Sequence, residues 1–433
     1  MAKNIAKSIG KYLLVFLTVL LIAFLALVVT AKIPRDAIKD NIIESSDTFF
    51  EIMRKNVVDE EYKTQHVYAD SMLLNIIYYI DNDHPVKSTM EAKYFSHEQG
   101  EAISFDVATT IEQNPEANTQ YIRYWHGSMS IIRPLLVFFN IEQIYIISAI
   151  VLGILAIILL IKVRKIKELV VALLLGFIMC FVWIVPFCIE YTWVFLIMLI
   201  TSLIAIHLEK KNKKPNILFL VTGMLTCYFD FLTNEIITLF VPLLILLTIR
   251  YKENKITNFK EGIKACIMPV ILWTIGYIGM WISKWILASI ILNVNALDFV
   301  TSYAMRRING QEEIQGIITG FDTIKRNFMT LFPVKYLIEN HYIIPILVCI
   351  IGSTIVLIRK KNLKELWFSG LLLLIALVPY IRYIVIRNHS YVHYFFVFRT
   401  QIIAIIAIVL AIVYSYDKEL FRHKIKIKRK EKC

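Results

Sequence analysis

The chain has 433 residues, 58% of them hydrophobic, and a net charge of +13, with a mean hydropathy of +0.62. Soluble domains hold roughly 45–50% apolar residues, so a soluble globular fold able to hide this much apolar surface is excluded. A nucleic-acid footprint is not indicated either, because the basic residues punctuate apolar runs instead of gathering in one patch.

The first element is the apolar run Tyr12 to Ala31, preceded by Lys3, Lys7 and Lys11. Val29-Thr30-Ala31 could pass as a cleavage site. An apolar core of about 18 residues nevertheless exceeds the roughly 7–15 of a signal peptide, so residues 1–31 are read as a retained transmembrane helix.

A polar stretch, 32–143, comes next and carries 10 Lys+Arg against 18 Asp+Glu. Within it Ile42, Phe49, Phe50, Ile52 and Met53 recur at helical spacing, as do Met72, Leu73, Ile76, Ile77 and Ile80. Such stripes suit amphipathic helices lying on a membrane, or equally the core of a small cap domain.

Apolar segments follow near 144–161, 169–188, 192–208, 216–231, 235–249, 265–283, 343–358, 366–382 and 401–416. With the first helix they give an all-α polytopic membrane protein of about ten transmembrane helices. Residues 144–416 form the multi-span domain, interrupted by a second long loop at 293–340, and 417–433 are a basic tail.

Alternate loops carry Lys162/Arg164/Lys165/Lys167, Lys210/Lys211/Lys213/Lys214, Arg250/Lys252/Lys255 and Arg359/Lys360/Lys361/Lys364. By the positive-inside rule these loops and both termini are expected to be cytoplasmic. The acidic first loop, the 293–340 loop and the segment 383–400 are then expected outside, where they could close over one cavity.

Polar groups within apolar runs are the informative ones, because a charge at membrane depth is costly unless it meets water or a partner. Asp230 falls at the turn between two short spans, either as a hydrated hairpin tip or as a carboxylate lining a cavity. The segment Tyr380 to Arg399 gathers Arg382, Arg387, His389, His393 and Arg399 among aromatics. Guanidinium forks and imidazole donors of this kind could grip a lipid phosphate, or be an aromatic belt with snorkelling arginines.

His389 and His393 share a helix face but lack a third ligand nearby in sequence, so no metal site is assigned. The six cysteines, Cys180, Cys188, Cys227, Cys266, Cys349 and Cys433, show no disulfide or zinc spacing. No P-loop, GxGxxG, GxSxG or HExxH stands at a credible spacing, which leaves nucleotide-driven transport and common hydrolase chemistry without a motif.

In the first loop Asp70 sits in the stripe Tyr68-Ala-Asp-Ser-Met-Leu-Leu-Asn75. Arg123-Tyr-Trp-His-Gly-Ser128, followed by Arg133, precedes the second span. A carboxylate near Trp125, His126 and Arg133 suits a base acting on a sugar hydroxyl stacked on an aromatic ring, although Trp125 could equally be an interfacial anchor.

This layout of one span, a large acidic outer loop with surface helices and then many spans resembles the GT-C class of polyprenyl-phosphate-sugar-dependent glycosyltransferases. The segments Arg123-Tyr-Trp-His-Gly127, Phe229-Asp-Phe-Leu-Thr233 and Asn388-His-Ser-Tyr-Val-His393 also look like those of a family of bacterial polytopic membrane proteins, a likeness that carries no activity. The GT-C resemblance implies a membrane enzyme moving a sugar from a lipid-phosphate donor to a cell-envelope glycan or lipid acceptor, with membrane lipid but no nucleic acid as partner. It implies an acidic base or metal ligand in the first loop, for which Asp36, Asp40 and Asp70 stand ready with His126. It requires no organic cofactor, a divalent metal being the one optional addition. A paired-carboxylate motif directly after the first helix is absent. Export of a lipid-linked glycan and a non-catalytic subunit of envelope-glycan assembly are the competing expectations.

Overall fold

The computed structural model of the chain describes residues 2–55, 60–96, 110–296, 318–332 and 366–415, with 107, 298 and 301 besides. The described residues form helices and no strands, with one isolated antiparallel bridge between Tyr94 and Thr119. The segment 343–358, most of the 293–340 loop and the tail 417–433 lie outside them.

In chain order the helices are α1 (Ala2–Ala31), α2 (Asp36–Lys55), α3 (Glu60–Tyr78), α4 (Pro85–Glu91), α5 (Met129–Leu135) and α6 (Ile141–Val163). Then come α7 (Lys167–Met179), α8 (Ile189–Lys210), α9 (Asn216–Phe229), α10 (Ile237–Lys252), α11 (Phe259–Leu292) and α12 (Gly320–Leu331). The last are α13 (Leu366–Ala376), α14 (Val378–Val385), α15 (Arg387–Val392), α16 (Tyr394–Val397) and α17 (Ile402–Ser415).

Six described segments are long and apolar enough to cross a membrane: Ile9–Ala31, Ile141–Val163, Ile189–Lys210, Phe259–Leu292, Leu366–Val385 and Tyr394–Ser415. Of the ten segments of the sequence count, three fold as shorter helices and one, 343–358, lies outside the described residues. α7, α9 and α10 have 13, 14 and 16 residues, or about 20–24 Å at the helical rise, short of roughly 30 Å of hydrocarbon. α7 stops where Phe181 takes a left-handed φ of 52° and a 3-10 turn containing Pro186 follows. α9 stops at Asp230, which is extended, and Leu232 turns the chain with a φ of 64°.

Two compact units divide the chain. Unit 1 comprises Met1–Leu159, Phe181–Pro242 and Met268–Arg307. Its α1 exposes Leu14, Leu17, Leu21, Leu25 and Val29 on one side and buries Ala23, Leu27 and Ala31 on the other, the division expected of a helix with lipid on one face. The described part of the 32–143 stretch contains α2 to α5 and shares a core with the apolar helices: Ile38, Ile42 and Phe49 of α2 and Leu73, Leu74, Ile76 and Ile77 of α3 pack with residues of α1, α5, α8 and α9. Asp36 and Asp40 lie on the exposed face of α2.

Two glycines set the crossing of α9 and α11. A Cβ on Gly223 would strike the carbonyl of Trp273, and one on Gly276 would strike that of Leu220. Small residues that let backbones touch are a recurrent device of membrane helix pairs. The close approach stacks Trp273 on Tyr277 at 4.8 Å and lets the Trp273 indole donate to Thr238 at 3.0 Å.

Unit 2 comprises Leu160–Cys180, Leu243–Ile267 and Ile308–Cys433. α17 packs on α7 and α13, with Gly176 admitting Ile402 and Ile406. Tyr251 stacks flat on Phe368 at 4.1 Å, and Glu168 receives both Lys252 and the Tyr414 hydroxyl. α12 starts at a capping box made by Thr319 and Asp322 and packs on α14, α15 and α16.

Candidate functional site

The start of α8 organises the polar interior of unit 1. Cys188, its N-cap residue, supplies no side-chain cap, so the first backbone N–H groups need an acceptor from elsewhere. Asp70 of α3 provides it. Its carboxylate accepts the N–H of Ile189 at 3.0 Å and of Glu190 at 3.4 Å, the Tyr145 hydroxyl at 2.5 Å and the Cys188 thiol at 3.7 Å. A negative group at a helix N-terminus also meets the positive end of the helix dipole. Burial nonetheless dominates, pushing Asp70 up from 3.8 to about 6 against the opposing hydrogen bonds.

Glu190, one residue into α8, is buried. One of its oxygens accepts the Ser128 hydroxyl at 3.2 Å, and the other has no partner among the described residues. Trp193, three residues on and therefore on the same helix face, lies flat on Phe229 at 4.8 Å. Its buried indole N–H is also without a partner among the described residues.

Phe229 leads into the turn that carries the third part of the site. Asp230 is fully buried, not a hydrated tip, and accepts the backbone N–H of Thr233 at 3.1 Å together with the Thr233 hydroxyl. Its charge reaches Glu190 and Tyr277, and that of Glu235 reaches Tyr277. Asn234, fully buried in the same turn, has neither its amide oxygen nor its nitrogen satisfied among the described residues. Four unmet polar atoms on Glu190, Trp193 and Asn234 are far from the norm, since buried polar groups nearly always find a partner. They are polar atoms of this region that the described residues leave unmatched.

The segment 123–128 closes one side of this turn. The Gly127 N–H donates to the Tyr228 carbonyl at 2.9 Å, and a Cβ on Gly127 would strike the Tyr228 ring and carbonyl. His126 and Tyr124 meet Phe231 with ring centroids 5.0 and 4.8 Å apart. His126 is fully buried at a left-handed φ of 55° and donates from Nε2 to the Tyr121 carbonyl at 2.9 Å. Burial lowers it to about 3, so it is neutral at physiological pH, with Nδ1 as an acceptor and little strength as a base.

Two further sequence candidates here hold the scaffold. Trp125 is buried, donates to the Met280 carbonyl at 2.8 Å and packs on Tyr228. Arg133 reaches the carbonyl of Ile33 at 2.6 Å and that of Ile77, and burial lowers it to about 10. Lys284, which sequence reasoning passed over, is fully buried on α11 and donates to the Met90 carbonyl at 3.0 Å, at the C-terminal end of α4, where a cation meets the negative end of the helix dipole.

The remaining candidates belong to unit 2. Arg382 donates to the Ser390 hydroxyl at 3.1 Å, while Asn327 of α12 donates to the Ser390 carbonyl at 2.8 Å. Arg399 is buried, donates to the Phe395 carbonyl at 3.3 Å and lies 4.8 Å from the Phe398 ring. The Arg387 carbonyl accepts from Thr323 at 3.3 Å. His389 and His393 have rings 4.7 Å apart, with His393 stacked on Phe396. Among the described residues no group of three His, Cys, Asp or Glu is arranged to hold a metal ion.

Of the sequence candidates, the structure thus brings Asp70 and Asp230 to the start of α8, sets His126 on the neighbouring turn and leaves Asp36 exposed. Glu190, Trp193 and Asn234 are the residues sequence reasoning missed. No family model, curated protein or solved structure matches the chain.

Proposed function

We propose that the chain is a membrane glycosyltransferase that moves a sugar from a lipid-phosphate donor to a cell-envelope glycan or lipid, working at the outer face with both termini in the cytoplasm. The observation that carries this reading is the group Glu190, Trp193 and Asn234, whose buried and unmatched donors and acceptors suit the hydroxyls of a sugar. In this reading Glu190 takes the proton of the acceptor hydroxyl through its free oxygen. Asp70 is the positioning residue that fixes the start of α8 and hence Glu190. Asn234 and Trp193 orient the sugar, and Asp230 fixes the turn that bears Asn234. A base held within hydrogen-bond reach contributes typically 10²–10⁴-fold. Separately, within unit 2, the guanidinium groups of Arg382 and Arg399 are of the kind that binds a phosphate group.

Export of a lipid-linked glycan is the second reading, favoured by the short helices α7, α9 and α10, because transporters often build substrate sites from interrupted helices. Mass spectrometry of envelope glycans and of lipid-linked sugars separates the two. For a transferase, cells carrying Glu190→Gln lack one sugar on the acceptor and accumulate the monosaccharide donor. For an exporter, they accumulate a completed lipid-linked glycan inside. An unchanged profile in both Glu190→Gln and a null strain rejects both readings.

A further inference from the structure

The polarity of α12 is inverted for a helix that faces water. Its buried residues are Thr323, Asn327 and Leu331, and the two polar ones are tied into unit 2. Thr323 donates to the Arg387 carbonyl at 3.3 Å, Asn327 donates to the Ser390 carbonyl at 2.8 Å, and Gln401 donates to the Asn327 carbonyl at 2.9 Å. The outward face is aromatic and apolar. Phe321 is 73% exposed, Phe328 40% and Met329 38%, and Phe332, just past the helix, sets its ring 4.8 Å from that of Phe328. Positions 321, 325, 328 and 332 recur at the spacing of a single helix face. A helix bordered by water turns its apolar stripe inward and its polar one outward. α12 does the reverse, which suits an apolar medium outside it.

That medium is not the middle of a bilayer. The 12 residues of α12 rise about 18 Å, short of roughly 30 Å of hydrocarbon, and they include Asp322, Lys325 and Arg326. Lys325 is exposed within the aromatic face. It feels the Asp322 carboxylate one turn back, which Thr319 engages in the cap, and a lysine stem is long enough to carry its ammonium past the rings to a polar layer. The start of α12 also abuts a candidate span, since a Cβ on Gly320 would lie 3.2 Å from the Ile384 side chain of α14. α14 ends the segment Leu366–Val385, which is long and apolar enough to cross a membrane, and its Ile381, Ile384 and Val385 are exposed. The aromatic face of α12 thus begins where the exposed apolar surface of that segment ends. We infer that α12 lies in the membrane interface, with Phe321, Phe328 and Met329 at the boundary of head groups and acyl chains and Lys325 at the lipid phosphates.

The test uses the full chain in phosphatidylcholine vesicles, part of the lipid carrying a diazirine high on its acyl chain, and peptide mapping reads which residues capture the lipid carbene. Hydroxyl-radical oxidation of the same vesicles reads access to water. Met268, similarly exposed on the apolar helix α11, is the matched reference for Met329. Met329 should take lipid label and oxidise at close to the rate of Met268. In Phe321→Ser/Phe328→Ser, which leaves the buried Thr323 and Asn327 in place, lipid label on Met329 should fall roughly fivefold or more and its oxidation should rise. Met329 without lipid label overturns the proposal, whether it oxidises faster than Met268, which puts the face in water, or is spared by both reagents, which puts a second copy or another part of the chain over it. Labelling unchanged in the double variant overturns the two phenylalanines as its anchors.

Discussion

The hydroxyl of Ser128 donates to one carboxylate oxygen of Glu190 at 3.2 Å and leaves the other oxygen buried without a partner among the described residues. Two segments more than sixty residues apart are joined there, and the free oxygen shares a helix face with Trp193.

Trp193→Phe keeps an aromatic ring against Phe229 but removes the indole N–H together with part of the buried ring. The lost core volume should cost about 1–2 kcal/mol, without unfolding the chain. Losing one hydrogen bond to a bound sugar should raise KM roughly three- to tenfold with kcat little changed. A melting curve and a saturation curve on the same preparation check both; a large fall in stability with unaltered KM makes Trp193 a packing residue.

Asp70 predicts a pH dependence with a definite sign. Its carboxyl is raised from 3.8 to about 6 in the folded chain, so between those values the folded state holds a proton that the unfolded state has released. Stability from this group is present below about pH 4 and is lost as pH rises through about 6, a change of up to roughly 3 kcal/mol. Asp70→Asn has no such proton. Melting in detergent at pH 4, 5, 6 and 7 should show the wild type losing stability relative to Asp70→Asn across that window. A difference that is flat or grows with pH contradicts the burial-driven shift.

Much of the fold is legible in the sequence, and what is not has a physical cause. The apolar runs at α1, α6, α8 and α11 read directly as spans because length and composition alone decide them. The end of α7 does not, since Phe181-Val-Trp-Ile-Val-Pro-Phe187 is as apolar as the helix before it, and only the left-handed Phe181 breaks it. That misplaced boundary also hid the site: dividing the chain at 188 and 192 put Glu190 in an unremarkable connection, when it opens a helix whose capping carboxylate, Asp70, lies 119 residues from Ile189. Asp70 and Asp230 were visible as carboxylates in apolar surroundings. Asn234 was not, because an asparagine beside a turn is ordinary until its burial is known.

Gly223→Ala tests the helix crossing on which the turn at Asp230 depends. The added methyl group meets the Trp273 carbonyl, a backbone atom that cannot swing aside. Destabilisation of about 1–3 kcal/mol is expected, with Gly153→Ala, where a Cβ meets nothing within 4 Å, as the neutral control. Equal melting temperatures for the two variants would contradict the close approach of α9 and α11.

Glu190 as the proton acceptor is the central claim, and the initial rate of sugar transfer in proteoliposomes tests it most directly. Purified chain would be given a panel of polyprenyl-phosphate monosaccharides labelled in the sugar, with envelope-glycan acceptor present. Glu190→Gln keeps the oxygen that accepts from Ser128 and removes the base. The account predicts wild-type transfer from one donor, a fall of roughly 10²-fold or more in Glu190→Gln with melting temperature preserved, and full activity in Asp36→Asn. Wild-type rates in Glu190→Gln, with loss in Asp36→Asn, would contradict it.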